Sequence, residues 1–436
     1  MSNSFKNRSQ ILDKLNIEAL NEMQTQAQFA IHSSSEVILL SPTGTGKTLA
    51  FLLPLLAELK RDVGGVQLLI LAPSRELAIQ IEQVVRDMGT GFKTNVVYGG
   101  RPISRDKMEL KNIPQVLIGT PGRIADHIRR STFDAESITN LVLDEFDKSL
   151  EIGFEDEMEE IIGSLKNRDK IVLTSATENV EIPSFVGLEN PLKLNFLDQR
   201  IDALKVEVVL SPEKDKLQTL VDTLLHIGNQ PGIIFCNYKA SIDRISTFLT
   251  KQGIDHGTFY GGMEQNDRER ALIKFRNGTH QLLLATDLAA RGIDVPEIQF
   301  IIHYHLPHRS QEFTHRNGRT ARMQRDGKAI VIQWKEEELP DFIGDLPVLT
   351  IGKRQQIIRS PWCTLFISGG RKDKISKGDI AGLFLKQADV RAENLGKIEL
   401  KNDCAFVAIK AKKIDKVILK VNNTKLKKKK VRIYQI

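Results

Sequence analysis

Short β-branched or leucine-rich runs recur along the chain, each followed by turn-forming residues and then by a helical period of apolar positions. That succession is the signature of parallel strands alternating with helices. Residues 37–40, 68–71, 116–118, 141–143 and 171–173 make one set of strands, and 233–235, 282–284, 300–302 and 329–332 make a second. Two sets predict two α/β domains in tandem, each on its own parallel sheet. The pattern lapses near 197–204 and again at 353–355, so the expected organisation is a first domain over 1–200, a second over 201–345, a linker over 346–360 and a third unit over 361–436.

The third unit has a different rhythm. A strand at 364–370, a helix at 377–387, a strong strand at 403–410, a basic helix and a last strand at 431–434 fit a small α+β sheet of βαββαβ order. Alternation turns Ala405, Val407 and Ile409 towards the helices and Cys404, Phe406 and Ala408 outward with Phe366.

With 436 residues the chain can bury two or three separate cores. Its formal net charge of +7 is unevenly held: residues 361–436 carry 19 Lys+Arg against 7 Asp+Glu, a balance of +12, leaving −5 for residues 1–360. A basic unit on a mildly acidic body suits docking on nucleic acid, because phosphate contacts supply most non-specific affinity. A solvated lysine-rich end is the other reading of the same charge. Cys236, Cys363 and Cys404 lie far apart with no paired metal spacing, which argues against a zinc ribbon and suits a reducing compartment. The apolar stretch near 49–57 is broken by Pro54 and is shorter than the roughly 20 residues a spanning helix needs. No signal-peptide pattern opens the sequence, so a soluble, cytoplasmic, monomeric protein is expected.

The residues with chemical potential fall at strand ends, where doubly wound sheets bind ligands. The strand at 37–40 runs into Ser41, Pro42, Thr43, Gly44, Thr45, Gly46, Lys47 and Thr48, followed by a helix-compatible run. In such a phosphate loop the glycines let backbone amides turn towards phosphate oxygens, the lysine reaches the outer phosphates and the Thr48 hydroxyl serves Mg2+. Asp144, Glu145, Phe146 and Asp147 end the strand at 141–143. Asp144 is the candidate Mg2+ residue and Glu145 the candidate base for the attacking water.

With these blocks in place, the chain resembles the DEAD-box RNA helicases of superfamily 2 over about residues 5–335. The remaining motifs are 73–80, Gly99 with Gly100, 120–123, 175–177, 234–237, 265–268, 285–294 and 315–322. The resemblance implies two tandem RecA-like parallel-sheet domains, ATP as cofactor and RNA as partner. It implies nucleotide binding by Gln24, Thr43, Gly44, Thr45, Gly46, Lys47, Thr48 and Asp294. Catalysis is implied for Lys47, Glu145, Arg319 and Arg322, and coupling for Ser175, Thr177 and His315. Arg75, Gly100, Thr120 and Arg123 in the first domain, with Asn237, Arg268 and Thr286 in the second, match the family's RNA-backbone contacts, which do not read base identity. A salt-bridge role is the bland reading of Arg75 or Arg123.

The third unit resembles the RRM-like carboxy-terminal domain of DbpA-type bacterial helicases, which implies a large-subunit ribosomal RNA target. Phe366 and Phe406 are its candidate stacking residues and Lys428 stands for its lysine-rich electrostatic surface.

Three departures from the family pattern stand out. The block at 16–24 keeps Gln24 for an adenine edge but lacks the usual glycine and prolines, and Phe5 lies unusually near it. Phe146 replaces alanine and is expected to pack inward, leaving Asp144 and Glu145 in place. His305 replaces aspartate and is given no catalytic role. ATP-driven unwinding or remodelling is the leading function. An ATP-gated RNA clamp is the alternative, with a DNA-processing role behind it.

Overall fold

The computed structural model of the chain describes residues 8–178, 181–197, 204–287, 298–320, 327–352, 355, 359–410, 412 and 414–436. Phe5, Asp294 and Arg322 lie outside them. The described residues form two compact units, one ending at Leu197 and the other starting at Leu204.

The first unit is a seven-stranded parallel sheet of β1 (Glu36–Leu40), β2 (Leu68–Leu71), β3 (Thr94–Val97), β4 (Val116–Gly119), β5 (Asn140–Leu143), β6 (Lys170–Ser175) and β7 (Leu192–Asn195), in the order β3-β4-β2-β5-β6-β1-β7. Strands β2, β4 and β5 are buried along their whole length, as expected for a parallel sheet covered on both faces. One face packs on the helix Lys47–Glu58, whose Phe51, Leu52, Leu55 and Leu56 are sealed from solvent. The other face holds Phe146 with Ile124, Met158 and Ile161.

This order sorts the strand ends. Strands β5, β6 and β1 are consecutive neighbours, so Asp144, Ser175 and the phosphate loop emerge side by side. The motifs after β2, β3 and β4 emerge on the other half of the sheet.

In the second unit, β8 (Leu204–Ser211), β9 (Gly232–Phe235), β10 (Gly257–Phe259), β11 (Leu282–Ala285), β12 (Phe300–His303) and β13 (Gly327–Trp334) form a parallel sheet in the order β10-β11-β9-β12-β13-β8. The same unit contains a four-stranded antiparallel sheet of β14 (Trp362–Ile367), β15 (Leu395–Leu400), β16 (Ala405–Lys410) and, after the hairpin β17 (Lys425–Leu426) and β18 (Lys429–Lys430), β19 (Ile433–Gln435). Its order is β15-β16-β14-β19. The fold is thus two RecA-like parallel-sheet domains and a small α+β domain.

Leu365, Ile367, Ala405, Val407 and Ile409 turn to Ile380, Leu383, Phe384 and Val421, as alternation predicts. The expectation that the opposite face looks outward is corrected. Phe406 is only 3% exposed and Ala408 1%, because the helix Gln265–Arg276 and the turn after it lie against this face. The Arg276 guanidinium grips the Glu399 carboxylate through two bonds of 2.7 Å. Buried Thr364 meets Asn277 Nδ2 at 3.2 Å and Thr279 Oγ1 at 2.7 Å. Lys401 pairs with Glu269 at 2.6 Å. Alternation fixes which side chains share a face and is silent on whether another domain covers it.

No described helix is long and apolar enough to cross a membrane.

Candidate nucleotide-hydrolysis site

The phosphate loop turns through Gly44 at φ 83° and Gly46 at φ 90°, a left-handed region open to glycine at no steric cost. A Cβ on Gly46 would also sit 2.4 Å from Gln24 Nε2. The Lys47 ammonium is buried and donates to the Ser41 carbonyl at 2.6 Å and the Pro42 carbonyl at 2.9 Å. Thr45 Oγ1 donates to the Pro42 carbonyl at 2.9 Å and meets Ser41 Oγ at 2.8 Å.

Gln24 sits in this cradle. Its Oε1 accepts from the Asn21 N–H at 3.0 Å, closing a capping box at the start of the helix Glu22–Ser33. Its Nε2 donates to the Gly46 carbonyl at 3.3 Å. Asn21 Nδ2 donates to the Thr45 carbonyl at 3.0 Å. The Asn21 contact was not read from the sequence, although an Asn three residues before a Gln is a capping-box signature.

At the end of β5, the Asp144 carboxyl is buried and accepts from Thr174 Oγ1 at 2.5 Å. The Glu145 N–H donates to the same hydroxyl at 3.1 Å. One side chain on β6 therefore fixes the carboxyl of the first residue and the backbone of the second. Glu145 occupies the left-handed region at φ 47°, a conformation that costs a non-glycine residue energy and persists only when its surroundings impose it. Thr174 lies between the strand expected at 171–173 and the motif at 175–177 and was in neither.

Burial, and then the charge of Glu145, push the Asp144 carboxyl up to about 6. A buried carboxyl held high in this way gains from a nearby cation. The hard oxygens of Asp144 and Thr48 suit Mg2+, which is commonly held by one or two carboxylates with phosphates and water. Phe146 is 2% exposed and lies in the core, as its expected inward packing requires. Asp147 accepts from Thr177 Oγ1 at 3.1 Å, and the Thr177 N–H donates to Ser175 Oγ at 3.0 Å, so the blocks at 144–147 and 175–177 are directly bonded.

On the other half of the sheet, Gly100 has φ 88°, and a Cβ there would meet Arg75 Nη1 at 2.3 Å. Thr120 stands at the N-cap position of the helix Pro121–Arg129 without a capping bond from its side chain. Arg123 donates to Asp106 at 2.6 Å and to the Arg101 carbonyl at 2.7 Å. Asp106 is buried and also faces Arg101 and His127. The guanidinium of Arg123 is thus already ion-paired in the way its bland reading anticipates.

In the second domain, Arg316 organises the strand ends. It binds Asp287 through Nε at 2.6 Å, the His305 carbonyl at 2.7 Å and Asn237 Oδ1 at 2.8 Å. Asn237 Nδ2 donates to the Leu306 carbonyl at 2.9 Å, and its N–H donates to His305 Nδ1 at 3.3 Å. His305 therefore supports the loop carrying Asn237. Arg268 donates to the Tyr260 carbonyl at 3.0 Å and lies over the Phe259 ring. The Thr286 N–H donates to the Phe259 carbonyl at 3.3 Å. His315 and Arg319 are both buried.

Residues 21–184 match the DEAD/DEAH box helicase family, 215–324 the helicase conserved C-terminal domain and 364–435 the DbpA RNA binding domain. The ATP-dependent RNA helicase DbpA of Bacillus subtilis is 30% identical over 434 residues, with 91% of each chain covered. The chain belongs to the DbpA-type DEAD-box ATP-dependent RNA helicases. The DbpA of Escherichia coli is 28% identical over 438 residues, with 97% of this chain and 95% of the relative covered. The S. cerevisiae Dbp5 structure bound to RNA and ADP BeF3 matches 75% of this chain and 88% of that chain, with a TM-score of 0.67 and 28% identity.

The DbpA-type RNA-binding domain of this helicase presents less of its sheet than its aromatic residues promised. Phe366 is half-buried between Phe406, at 5.5 Å between ring centroids, and Tyr434, at 4.9 Å. Tyr434, which was not singled out in the sequence, is the most open of the three at 44%. Lys428 is exposed at the tip of the β17–β18 hairpin, whereas neighbouring Lys427 and Lys429 pair with Asp379 at 3.0 Å and Asp373 at 2.8 Å.

Proposed function

We propose that this helicase couples RNA-stimulated ATP hydrolysis, with Mg2+ at Thr48 and Asp144, to local unwinding or remodelling of RNA duplexes. The observation that carries the reading is the Thr174 hydroxyl holding both Asp144 and the backbone of Glu145 beside the phosphate loop. Mg2+ neutralises phosphate charge when bound. Lys47 leaves its carbonyl partners for the outer phosphates, and Glu145 orients and deprotonates the attacking water. Gln24 turns from Gly46 to an adenine edge. Arg319 and Arg322 neutralise charge developing on the transferred group, so hydrolysis draws on groups of both parallel-sheet domains.

RNA is gripped through sugar and phosphate by Arg75, Gly100, Thr120 and Arg123 in the first domain and by Asn237, Arg268 and Thr286 in the second. Ser175, Thr177 and His315 transmit the state of the nucleotide to that grip. The direct bonding of the 144–147 and 175–177 blocks supports this. The substrate is 23S ribosomal RNA during large-subunit assembly, and the protein acts as a cytoplasmic monomer. The exposed lysines of the 425–430 hairpin and the resemblance of the terminal domain support the target.

The test is a strand-displacement assay with ATP, comparing the parent with Glu145→Gln, on duplexes with and without a large-subunit ribosomal hairpin. Displacement by the parent alone, stimulated by the hairpin, is expected. Nucleotide-dependent binding without displacement would mean a clamp, and equal stimulation by every RNA would remove the ribosomal target.

A further inference from the structure

The docked terminal domain creates a cleft that neither partner has alone. Tyr434 and Gln435 of β19 form one wall, and Thr258 of β10 with Arg270 and Lys274 of the helix Gln265–Arg276 form another, enclosing about 670 Å³. That volume is in the range of small-molecule sites and is far larger than a single phosphate needs.

Its cations are unusually placed. Lys274 is half-buried, and among the described residues no carboxylate lies within ion-pair distance of it. Burial and then the neighbouring Arg270 charge hold its ammonium below the ordinary range. His280 also lines the cleft, and its Nδ1 is buried without a hydrogen-bond partner among the described residues. Burial and then Lys274 push His280 down to about 4. Two acidic side chains line the same space, each facing an arginine: Asp267 is 3.9 Å from Arg270 and Asp255 is 3.5 Å from Arg359, and the last residue of the sequence, Ile436, lines it as well. Lys274 is left as the charge these carboxylates do not meet. On the facing wall, Tyr434 leans on Phe366 at 4.9 Å between centroids and is 44% exposed. A supported, open aromatic ring beside a lysine with no ion-pair partner among the described residues suits a base and its phosphate in a single strand.

We propose that this cleft binds a short single-stranded stretch of RNA, with phosphates on Lys274 and Arg270 and a base stacked on Tyr434. It would hold the strand flanking the duplex being remodelled, and it rests on the RNA-helicase identity of the chain. The docked sheet face then serves RNA at its Tyr434 edge while Phe406 stays covered.

The test uses the full chain without nucleotide and a fluorescently labelled ten-nucleotide RNA, titrated at several salt concentrations. Lys274→Gln with Arg270→Gln should weaken binding about tenfold and reduce the slope of log affinity against log salt by roughly 1.4, the value for two phosphates of a single strand. Tyr434→Ala should cost about tenfold and Tyr434→Phe almost nothing. Lys60→Gln, beyond the helix Lys47–Glu58, controls for a general change of charge. Thermal unfolding checks that each variant keeps its fold. Unchanged affinity and slope in the folded double variant would overturn the cleft and leave the helicase reading intact. Competition by millimolar inorganic phosphate alone, with Tyr434→Ala binding normally, would overturn it in favour of a simple anion site. A parent chain that binds no RNA would overturn both.

Discussion

The first parallel sheet and the terminal antiparallel sheet both carry their functional candidates on positions the sequence makes plain, yet only one presents them as expected. In the parallel sheet, the candidates sit in loops beyond strand ends, and the order β5-β6-β1 brings those loops together. In the terminal sheet, the candidates sit on a face, and that face is taken by the second domain through Arg276, Asn277 and Thr279. Strand ends stay at the surface because buried loops leave backbone groups unpaired. A sheet face has no such protection: any apolar partner of the right shape can cover it.

The contrast can be broken most sharply at the strand ends. Glu145→Gln should lower steady-state phosphate release roughly 100- to 10,000-fold, as loss of a general base does, while nucleotide-dependent RNA binding survives. Phe146→Ala separates packing from chemistry at the next position. It should destabilise the first domain by about 3–5 kcal/mol in urea unfolding, with ATP turnover of the folded fraction within a few-fold of the parent. Loss of turnover at full stability would instead make Phe146 part of the catalytic geometry.

A third measurement probes the core of the second domain. Buried His303, bonded to Asn317 at 3.0 Å, is held down to about 3 by burial and then by Arg316. Its folded value lies below its unfolded one, so its neutral form costs nothing above about pH 6.5 and stability falls as pH drops towards 3. Between pH 6.5 and 4 the loss should be about 3 kcal/mol, and His303→Gln should flatten that dependence in urea unfolding. The smallest effect concerns the docked face. Burial raises the Glu399 carboxyl, but the Arg276 bonds outweigh it and leave it below the ordinary range. A double-mutant cycle of Arg276→Gln and Glu399→Gln should give a coupling of roughly 1–2 kcal/mol. No coupling would mean that the face docks through Thr364 and Phe406 without the ion pair.

The sequence located strands with continuous apolar runs within two residues, except that β14 ends at Ile367 and not at 370. It missed β3, β7, β8 and β10, where polar or charged residues such as Thr94, Lys193, Glu207 and Thr258 interrupt the run. All four are edge strands. Edges are buried on fewer sides and need not be wholly apolar. Strand β15 was missed for the same reason, with Lys397 and Glu399 in its centre. At the site, phosphate-loop and carboxylate positions were legible because their chemistry requires fixed residue types at fixed spacing. Thr174 was not, because a threonine within a strand is ordinary until its partners are known. Arg316 was legible as part of a motif, but its bonds to Asp287, Asn237 and His305 join segments far apart in the chain.

The covered face also changes what a shortened chain would report. Ending the protein before Pro361 would remove the lysine hairpin and Tyr434, and it would equally strip Thr364 from Asn277 and Glu399 from Arg276. The helix Gln265–Arg276, which carries Arg268, would lose its outer support in the same cut. Weakened RNA stimulation in such a truncate would therefore mix a missing RNA surface with a loosened motor domain. Exchanging exposed lysines one by one keeps the two apart.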